Sequence, residues 1–406
     1  MRFDLHLRED FKSQVSAITT QMKEWEDVPR IAESEQAAVL AAIQSFNHTT
    51  QVEHLKIAGV DGSGDYPSVS YSDSFVYVTV AHGTVYEANP ATGLKELPPV
   101  VRPLINVAWM SEQEDQRHES WNKAFAALAG RSIESAIERS DYRSLKAASC
   151  GRATSVSRLA DELLRPHAHD SGNIAIQLRS LGELGAALQL IESYSGLDFL
   201  LVDGTLSLPL VTRRDASLFY EHVKRLCCVA AFERNVGFFA LSKSHGLPSI
   251  ELIEKLAQQK LQPVDKSKAE HWFLRLPVPG HDKWAFGLAE GRNLPPIGAV
   301  TYLVRFHRSI PVLRLDMDRE YWNRSVLGND EAATILNECR IFQSLDYACH
   351  DQRCFGYPYP IKAGHDRASL TAQERHVLRK QIVDAAVEQG LKRSLFRDAS
   401  LATGHK

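Results

Sequence analysis

Two hydrophobic runs of the chain end in the same dipeptide, Asp-Gly. One covers residues 57–63 and reads Ile-Ala-Gly-Val-Asp-Gly-Ser, and the other covers residues 199–205 and reads Phe-Leu-Leu-Val-Asp-Gly-Thr. Short apolar runs that stop at a turn signal are typical of buried strands. Each run therefore predicts a strand that holds an aspartate, Asp61 or Asp203, rigidly at its end. If both strands belong to one sheet, the two carboxylates lie close together.

Two carboxylates at neighbouring strand ends suit a particular chemistry. Their oxygens are ligands for hard divalent cations such as Mg²⁺ and Mn²⁺, and glycine lets a phosphate approach the backbone. The pair thus favours metal-dependent chemistry on phosphate. The alternative is that each Asp-Gly only forms the turn from strand to loop, which is a common role of this dipeptide.

Length and composition leave the class of partner open. A chain of 406 residues is too long for one small domain, and 44% hydrophobic and 24% charged residues are ordinary for a soluble globular protein. The net charge of −3 gives no global signature of nucleic-acid binding. DNA binding would therefore depend on a local basic patch, for which the candidates are Arg152, Arg158, Arg213, Arg214, Lys224 and Arg225.

The N-terminus lacks the apolar core of a signal peptide, and no apolar run approaches the roughly 20 residues of a membrane helix. We therefore expect a cytoplasmic protein without membrane contact, whose cysteines are reduced and mostly buried. A zinc site at Cys349, His350 and Cys354 is the alternative, although a fourth ligand and the usual paired spacing are absent.

The order of predicted elements indicates an α/β fold that combines an antiparallel meander with helix–strand units. Helices are predicted within residues 1–50 and 112–148, and at 174–194, 215–234, 331–348 and 371–391. Strands are predicted at 57–61, 69–80, 84–87, 198–203, 236–241, 272–276, 284–288, 300–306 and 311–315. A turn at 81–83 separates the second strand from the third, and residues 261–268 form the expected internal loop.

Two further kinds of side chain could serve a phosphate site. Glu183 lies on the amphipathic helix before the second Asp-ended strand, and a helix packed across the sheet could deliver its carboxylate to the site. Glu192 on the same helix is its rival, and a solvated helix face is the alternative for both. Lys243 follows the strand at 236–241, where it would meet a phosphate or a developing negative charge. An ordinary surface lysine fits this position equally well.

A segment rich in proline and tyrosine lies late in the chain. Its prolines fix an extended path from Tyr357 towards His365, and a histidine can bind a metal or assist proton transfer. The alternative is a packed aromatic turn before the last helix, which begins near Thr371 with a capping-box pattern.

Taken together, these features resemble the NurA nuclease family, whose members work with the hexameric HerA translocase in DNA end processing. The order is a strand ending VDGSG, a β-meander, a helix with Glu183, a strand LLVDGTL, a strand ending FALSKS, and GYPYPIKAGHDRA near the C-terminus. The resemblance covers roughly residues 55 to 370.

The resemblance implies a ribonuclease H-like core related to the nuclease domain of Argonaute proteins, with a mixed sheet flanked by helices and a helical N-terminal extension. It also implies Mn²⁺- or Mg²⁺-dependent cleavage of DNA by a homodimer on a HerA-like hexameric ATPase, in DNA repair or phage defence. By position, the matching residues are the metal ligands Asp61, Glu183, Asp203 and His365, with Lys243 and Tyr357 beside them. Because an extra glycine precedes His365, Asp366 is the alternative ligand.

On this resemblance we expect two divalent ions, one activating a water and the other stabilising the leaving 3′ oxygen. Lys243 would offset charge in the transition state, and Tyr357 would stack on or orient the strand end. The expected organisation is a helical docking or dimer region at 1–50, a nuclease domain at 51–370, and a C-terminal helix and tail at 371–406.

Three other functions share parts of the pattern. A haloacid-dehalogenase-like phosphatase would need a nucleophilic aspartate where this chain has Leu201. An actin-like ATPase or sugar kinase would share the loop at Asp61, but it needs further glycine-rich adenosine loops that the sequence lacks. A non-catalytic subunit would keep the fold and dock on a HerA-like motor, whereas the presence of every acidic position argues for an enzyme.

Overall fold

A computed structural model gives the assembly of these elements. It describes residues 5–397, except for 27–30, 32, 65–66, 73, 90, 92, 100, 112, 146–154, 165–170, 208–219, 246, 248, 263–269, 279 and 283–297. The start of the helix predicted at 215 and the strand predicted at 284–288 lie outside these residues, as does most of the loop predicted at 261–268.

Five strands form the centre of one mixed sheet: β2 (Lys56–Ser63), β4 (Ser74–Asn89), β6 (Leu104–Ser111), β7 (Phe199–Asp203) and β8 (Gly237–Ser242). Their order across the sheet is β6-β4-β2-β7-β8. The first three form an antiparallel meander, while β7 runs parallel to β2 and β8 parallel to β7. A meander with two parallel strands added beside its first strand is the ribonuclease H-like arrangement, so the predicted fold class is confirmed.

The turn predicted at 81–83 is wrong, because β4 is one continuous strand of 16 residues. Gly83 pairs with Val60 inside the ladder between β2 and β4. A Cβ atom at Gly83 would lie 2.4 Å from Cδ1 of Leu190, so this glycine makes room for a helix instead of a turn. The third strand of the meander is β6, which the sequence pattern did not predict.

Shorter strands extend the sheet at both edges. They are β1 (Ile43–Ser45), β3 (Val69–Tyr71), β5 (Gly93–Glu96), β9 (Trp272–Arg275), β10 (Ala299–Arg305), β11 (Leu313–Asp318) and β14 (Phe396–Arg397). From β8 the order continues β11-β10-β9-β1, with every pair antiparallel. At the other edge β3 lies between β4 and β14, and β5 pairs with β4. A separate two-stranded ribbon consists of β12 (His350–Asp351) and β13 (Cys354–Phe355).

Both ends of the chain thus add strands to the sheet. The region 1–50, predicted as helical only, contributes β1, and the tail after residue 371 contributes β14. The three-part division at residues 50 and 370 stays a prediction. These short strands were missed because three or two residues carry too little pattern to indicate a strand.

The helices cover both faces of the sheet. They are α1 (Leu5–Glu26), α2 (Glu33–Ala42), α3 (Glu114–Ala129), α4 (Ile133–Arg139), α5 (Val156–Leu163), α6 (Ser171–Ser193), α7 (Glu221–Glu233), α8 (Ile250–Leu261), α9 (Arg319–Ser325), α10 (Glu331–Cys349), α11 (Tyr359–Ala368) and α12 (Ala372–Glu388). The predictions at 174–194, 331–348 and 371–391 are confirmed by α6, α10 and α12. The capping box predicted at Thr371 is present.

Successive side chains of the central strands point into two different hydrophobic cores, one on each face of the sheet. On β2, Ala58 and Val60 belong to the core that contains α6, whereas Ile57 belongs to the core that contains α11. On β7, Leu200 and Leu201 divide between the two cores in the same way. Because side chains alternate along a strand, Asp61 and Asp203 point to the α11 face of the sheet.

Helix α11 lies directly on the backbone of β2. A Cβ atom at Gly59 would come within 2.3 Å of the backbone nitrogen of Ile361, and one at Gly364 within 3.2 Å of the backbone nitrogen of Asp61. Thr84 of β4 donates a hydrogen bond of 2.9 Å to the carbonyl of Pro360. One glycine on each side of this contact, Gly59 on β2 and Gly364 on α11, lets the two backbones approach and brings His365 towards the end of β2.

No helix in the described part of the chain is both long enough and apolar enough to cross a membrane.

Candidate functional site

Asp203 ends β7, and Asp61 lies at the same level of the neighbouring parallel strand β2, which continues to Ser63. Val60 of β2 pairs with Val202 of β7, and each aspartate is the next residue. Adjacent strands lie about 4.8 Å apart, so the two carboxylates share one end of the sheet. The pKa of Asp203 is raised, first by desolvation among the surrounding atoms and then by the negative charge of Asp61. The convergence expected from the sequence is therefore present.

Asp61 is buried and held by two hydrogen bonds. The backbone nitrogen of Gly62 donates to its Oδ1 at 2.7 Å, and Nδ1 of His365 lies 2.9 Å from its Oδ2. The His365 ring is exposed, and its Nε2 lies 3.3 Å from Oγ of Ser369. Since Asp366 is paired with Lys362 on the surface of α11, it is His365 that reaches the strand end.

The carboxylate of Glu183 also reaches the end of β2. A Cβ atom at Gly62 would lie 2.8 Å from Cγ and 3.1 Å from Oε1 of Glu183, so this buried side chain covers Gly62 from the α6 face. Glu192 lies more than two turns further along α6, where it forms an ion pair of 2.8 Å with Arg131. Of the two rivals, Glu183 is the one beside Gly62, the residue that follows Asp61.

Lys243 and Tyr357 meet on the other side of Asp203. Lys243 follows β8, and its Nζ lies 3.8 Å from the centre of the Tyr357 ring. Its positive charge lowers the pKa of Asp203, which counters the effects that raise it. Tyr357 is only 3% exposed, and burial, followed by the charges of Asp203 and Asp61, raises the pKa of its hydroxyl.

The structure does not place the ring of Tyr357 for stacking on a nucleic-acid strand, whereas its expected role in orienting the strand end stays a prediction. The ring is buried and Lys243 lies over it, so no base can stack on that face. The contact instead holds the ammonium group of Lys243 beside Asp203 through a cation–π interaction.

Two neighbours of the site, Arg179 and Tyr220, were missed in the sequence. Arg179 lies one turn before Glu183 on α6, with its Nε 3.2 Å from Oε1 of Glu183, and its charge lowers the pKa of Asp203. Burial, then the charges of Glu221 and Glu183, raise the pKa of Tyr220 to about 12. The spacing of Arg179 and Glu183 by four residues was a readable signal for a pair on one helix face.

Asp316 fixes the loop that follows Asp203. This fully buried carboxylate on β11 accepts hydrogen bonds from the backbone nitrogens of Leu206 and Ser207, at 3.0 and 3.2 Å. Arg314 in turn donates to Asp316 at 2.8 Å and to Oγ of Ser207 at 2.7 Å. Nothing in the local sequence announces this role, because the partners are more than one hundred residues apart.

Two of the basic residues proposed for a DNA patch have structural roles instead. Arg225 is buried and bonds to Asp141 at 2.7 Å and to Asp318 at 2.9 Å. Lys224 is buried in a pair with Glu221 at 2.9 Å. Arg158 is exposed and pairs with Glu162, while positions 152, 213 and 214 lie outside the described residues. A groove that includes Lys224 and Arg225 is therefore wrong.

The cysteines do not form the zinc site considered for Cys349 and Cys354. Both are free thiols, as are Cys227, Cys228 and Cys339, and position 150 lies outside the described residues. Among the described residues, the group of metal-ligating atoms that contains His350 consists of His48, His271 and Asp346, without a cysteine. The expectation of reduced thiols is met by the cysteines within the described ranges.

Comparison with known proteins gives matches among solved structures only. No protein-family model matches the chain, and no curated protein matches it. The NurA nuclease from Sulfolobus solfataricus is 13% identical with a TM-score of 0.47, over 96% of this chain and 99% of that chain. The chain is similar to NurA nucleases along almost its whole length.

A second NurA structure, bound to dAMP and manganese, is 12% identical with a TM-score of 0.37, over 90% of this chain and 95% of that chain. The endonuclease V of Ciona intestinalis in complex with DNA is 11% identical with a TM-score of 0.30, over 89% of this chain and 98% of that chain.

Proposed function

We propose that this protein is a metal-dependent deoxyribonuclease, a phosphodiester hydrolase of the NurA kind. The observation that carries the proposal is that Asp61 and Asp203 lie at the same level of two adjacent parallel strands of the ribonuclease H-like sheet. The carboxylate of Glu183 lies beside Gly62, the residue after Asp61, so three different elements bring carboxylates to this end of the sheet.

The donor set fits a hard divalent cation. Carboxylate oxygens with one imidazole suit Mn²⁺ or Mg²⁺. The pKa of Asp203 is raised first by desolvation and then by the charge of Asp61, and a bound cation would offset that charge. Asp61, Glu183, Asp203 and His365 would hold the metal, which we infer to be two ions. When bound, such ions lower the pKa of a water and stabilise the leaving oxygen of a phosphodiester.

The protein's own residues prepare this site. The hydrogen bonds from Gly62 and His365 fix the carboxylate of Asp61, and the packing of Gly62 against Glu183 fixes the second carboxylate. Lys243 brings a positive charge close to Asp203, where it would attract the phosphate and offset charge in the transition state. Fixed charges of this kind need no rearrangement during the reaction.

We further infer that the enzyme is a homodimer that works with a HerA-like hexameric ATPase in DNA repair or phage defence. Support comes from α1, whose exposed apolar residues are Phe11, Val15, Ile18 and Met22. Their spacing of four, three and four residues is that of a helix seam that packs against another helix. Co-purification of the motor with the full chain and with a chain lacking residues 1–26 tests this surface, and equal recovery would remove it from the proposal.

Cleavage of end-labelled linear and single-stranded DNA in Mn²⁺, Mg²⁺ or EDTA tests the nuclease. We expect metal-dependent cleavage that Asp61→Asn, Asp203→Asn and Glu183→Gln each abolish. Glu192→Gln is the matched control, since it changes the same residue type on the same helix at a position paired with Arg131. Folded protein that stays inactive on DNA, alone and with the motor and ATP, would favour the non-catalytic subunit instead.

A further inference from the structure

A second group of metal-ligating side chains lies at the same end of the strands as Lys243, but three strands away across the sheet. His48 follows β1, His271 directly precedes β9, and Asp346 and His350 lie at the end of α10. We call these four residues the His₃Asp cluster. Strands β8 and β9 are separated by β11 and β10, so the cluster is roughly 14 Å from the end of β8, at about 4.8 Å per strand step. It is therefore separate from the carboxylates of Asp61 and Asp203.

We propose that the His₃Asp cluster binds one transition-metal ion, with Zn²⁺ as the best match. Each of the four residues offers one ligand atom, and these atoms lie within 4.8 Å of one another. The inference does not depend on the nuclease proposal, because it concerns other residues and another class of metal.

The carboxylate of Asp346 is the centre of the cluster. Its side chain is 0% exposed, and the Nδ1 atoms of three histidines surround it. The distances are 2.9 Å from His48 to Oδ2, 3.1 Å from His350 to Oδ1, and 3.4 Å from His271 to Oδ1. Small side-chain rotations would place one ligand atom of each residue about 2.0 to 2.2 Å from a central ion, which is the ligand distance that zinc requires.

Two buried atoms at this centre have no hydrogen-bond partner among the described residues. They are Oδ1 of Asp346 and Nδ1 of His271, which approach to 3.4 Å without the geometry of a hydrogen bond. Buried polar atoms are normally paired, and an exception calls for an explanation. One ion coordinated by both atoms would satisfy them together.

The ligand types select the metal. Three imidazoles and one carboxylate make a complete tetrahedral set for Zn²⁺, and imidazole favours Zn²⁺ over the Mg²⁺ or Mn²⁺ that carboxylates prefer. The backbone nitrogen of Thr49 donates to Oδ2 of Asp346 at 2.7 Å, which is the kind of outer hydrogen bond that orients a metal-binding carboxylate. A set of four protein ligands leaves no open position, so the ion would be structural.

The His₃Asp cluster joins three distant parts of the chain, and one of them continues to residues of the carboxylate site. His350 begins the ribbon of β12 and β13, which leads through Gly356 to Tyr357, and Gly356 donates a hydrogen bond of 2.6 Å to the carbonyl of Cys349. The ammonium group of Lys243 lies over the ring of Tyr357. An ion in the cluster would thus brace the segment that positions Lys243.

Metal analysis of the full-length protein tests the proposal. After incubation with excess Zn²⁺ and desalting, we expect about one zinc per chain in the wild type and in Asp61→Asn. The zinc content is measured by inductively coupled plasma mass spectrometry. Asp346→Asn and His271→Gln should weaken zinc binding by about tenfold or more, the scale expected even for outer-shell changes. His118→Gln is the matched control, since His118 pairs with Asp161 on the surface outside the cluster.

Substitution of Co²⁺ for Zn²⁺ gives a second readout that needs no variant. Tetrahedral cobalt has strong visible absorption, which we expect to saturate at about one equivalent in the wild type and to be displaced by Zn²⁺. Wild-type protein that is folded by circular dichroism but binds neither metal would overturn the proposal and leave a hydrogen-bonded carboxylate–histidine group. Folded Asp346→Asn and His271→Gln proteins that bind zinc as tightly as the wild type would overturn it equally.

Discussion

Replacing Gly62 by alanine tests whether the position of Glu183 matters for cleavage. The new Cβ would lie 2.8 Å from Cγ of Glu183 and 3.0 Å from the carbonyl oxygen of Val80. The backbone of β4 cannot retreat easily inside its ladder, whereas the glutamate side chain can rotate. Since ordinary carbon contacts begin near 3.5 Å, we expect the carboxylate to move by roughly 0.7 Å.

A displacement of this size affects catalysis more than stability. Misplacing a catalytic group by about 1 Å can lower the rate by about 100-fold, and we expect a fall in kcat of about 30- to 100-fold. Overpacking of this kind costs about 1 to 3 kcal/mol in the free energy of unfolding. The assay is cleavage of end-labelled linear DNA in saturating Mn²⁺, normalised to the folded fraction from thermal unfolding.

Gly83→Ala is the matched control. Its Cβ would lie 2.4 Å from Cδ1 of Leu190, so it overpacks the same sheet against the same helix without touching a carboxylate. We expect a similar loss of stability with kcat within about threefold of the wild type. The reasoning is refuted if folded Gly62→Ala cleaves as fast as the wild type, or if Gly83→Ala loses as much activity.

Three further predictions concern charge. The raised pKa of Asp203 means that the folded protein binds its proton more readily than the unfolded chain, so its stability falls as pH rises between the unfolded and folded pKa values. Asp203→Asn should therefore raise the Tm of the metal-free protein at pH 7 while abolishing cleavage, and a lower Tm in calorimetry would contradict this. Lys243→Met should lower kcat by about 100-fold with little change in Tm. A large fall in Tm together with the fall in kcat would instead show that the contact of Lys243 with Tyr357 serves stability. Arg225→Met should cost about 3 to 5 kcal/mol in the free energy of unfolding, because it removes the partner of the buried carboxylate of Asp318 and of the half-buried carboxylate of Asp141. A gel-shift assay that instead shows weaker DNA binding by stably folded protein would restore Arg225 to a DNA groove.

The local pattern of the sequence was enough for the centre of the fold. The apolar runs that end at Asp61 and Asp203 became neighbouring strands, because β-branched and aromatic residues in a short run favour a buried strand wherever the chain places it. The apolar stripe of α6 became a buried helix for the same reason, since Leu178, Leu181 and Leu188 repeat at the helical period.

The errors arose where a residue served a distant partner. Gly83 read as a turn, but its missing side chain accommodates Leu190, which lies more than one hundred residues away. Lys224 and Arg225 read as surface charges, but each is buried against a carboxylate. The short stretch of sequence around a residue contains no information about partners that are distant in the chain.

The sequence by itself determined which residues could do chemistry: carboxylates at strand ends, a helix with two glutamates, and a late segment with His365. Only the tertiary structure decided among them, because the way α6 and α11 cross the sheet brings Glu183 rather than Glu192, and His365 rather than Asp366, to the end of β2. The His₃Asp cluster is the extreme case. Only Asp346 and His350 are close in sequence, four residues apart, whereas His48 and His271 are distant from them and from each other. The pairing of β1 with β9 beside α10 brings all four together.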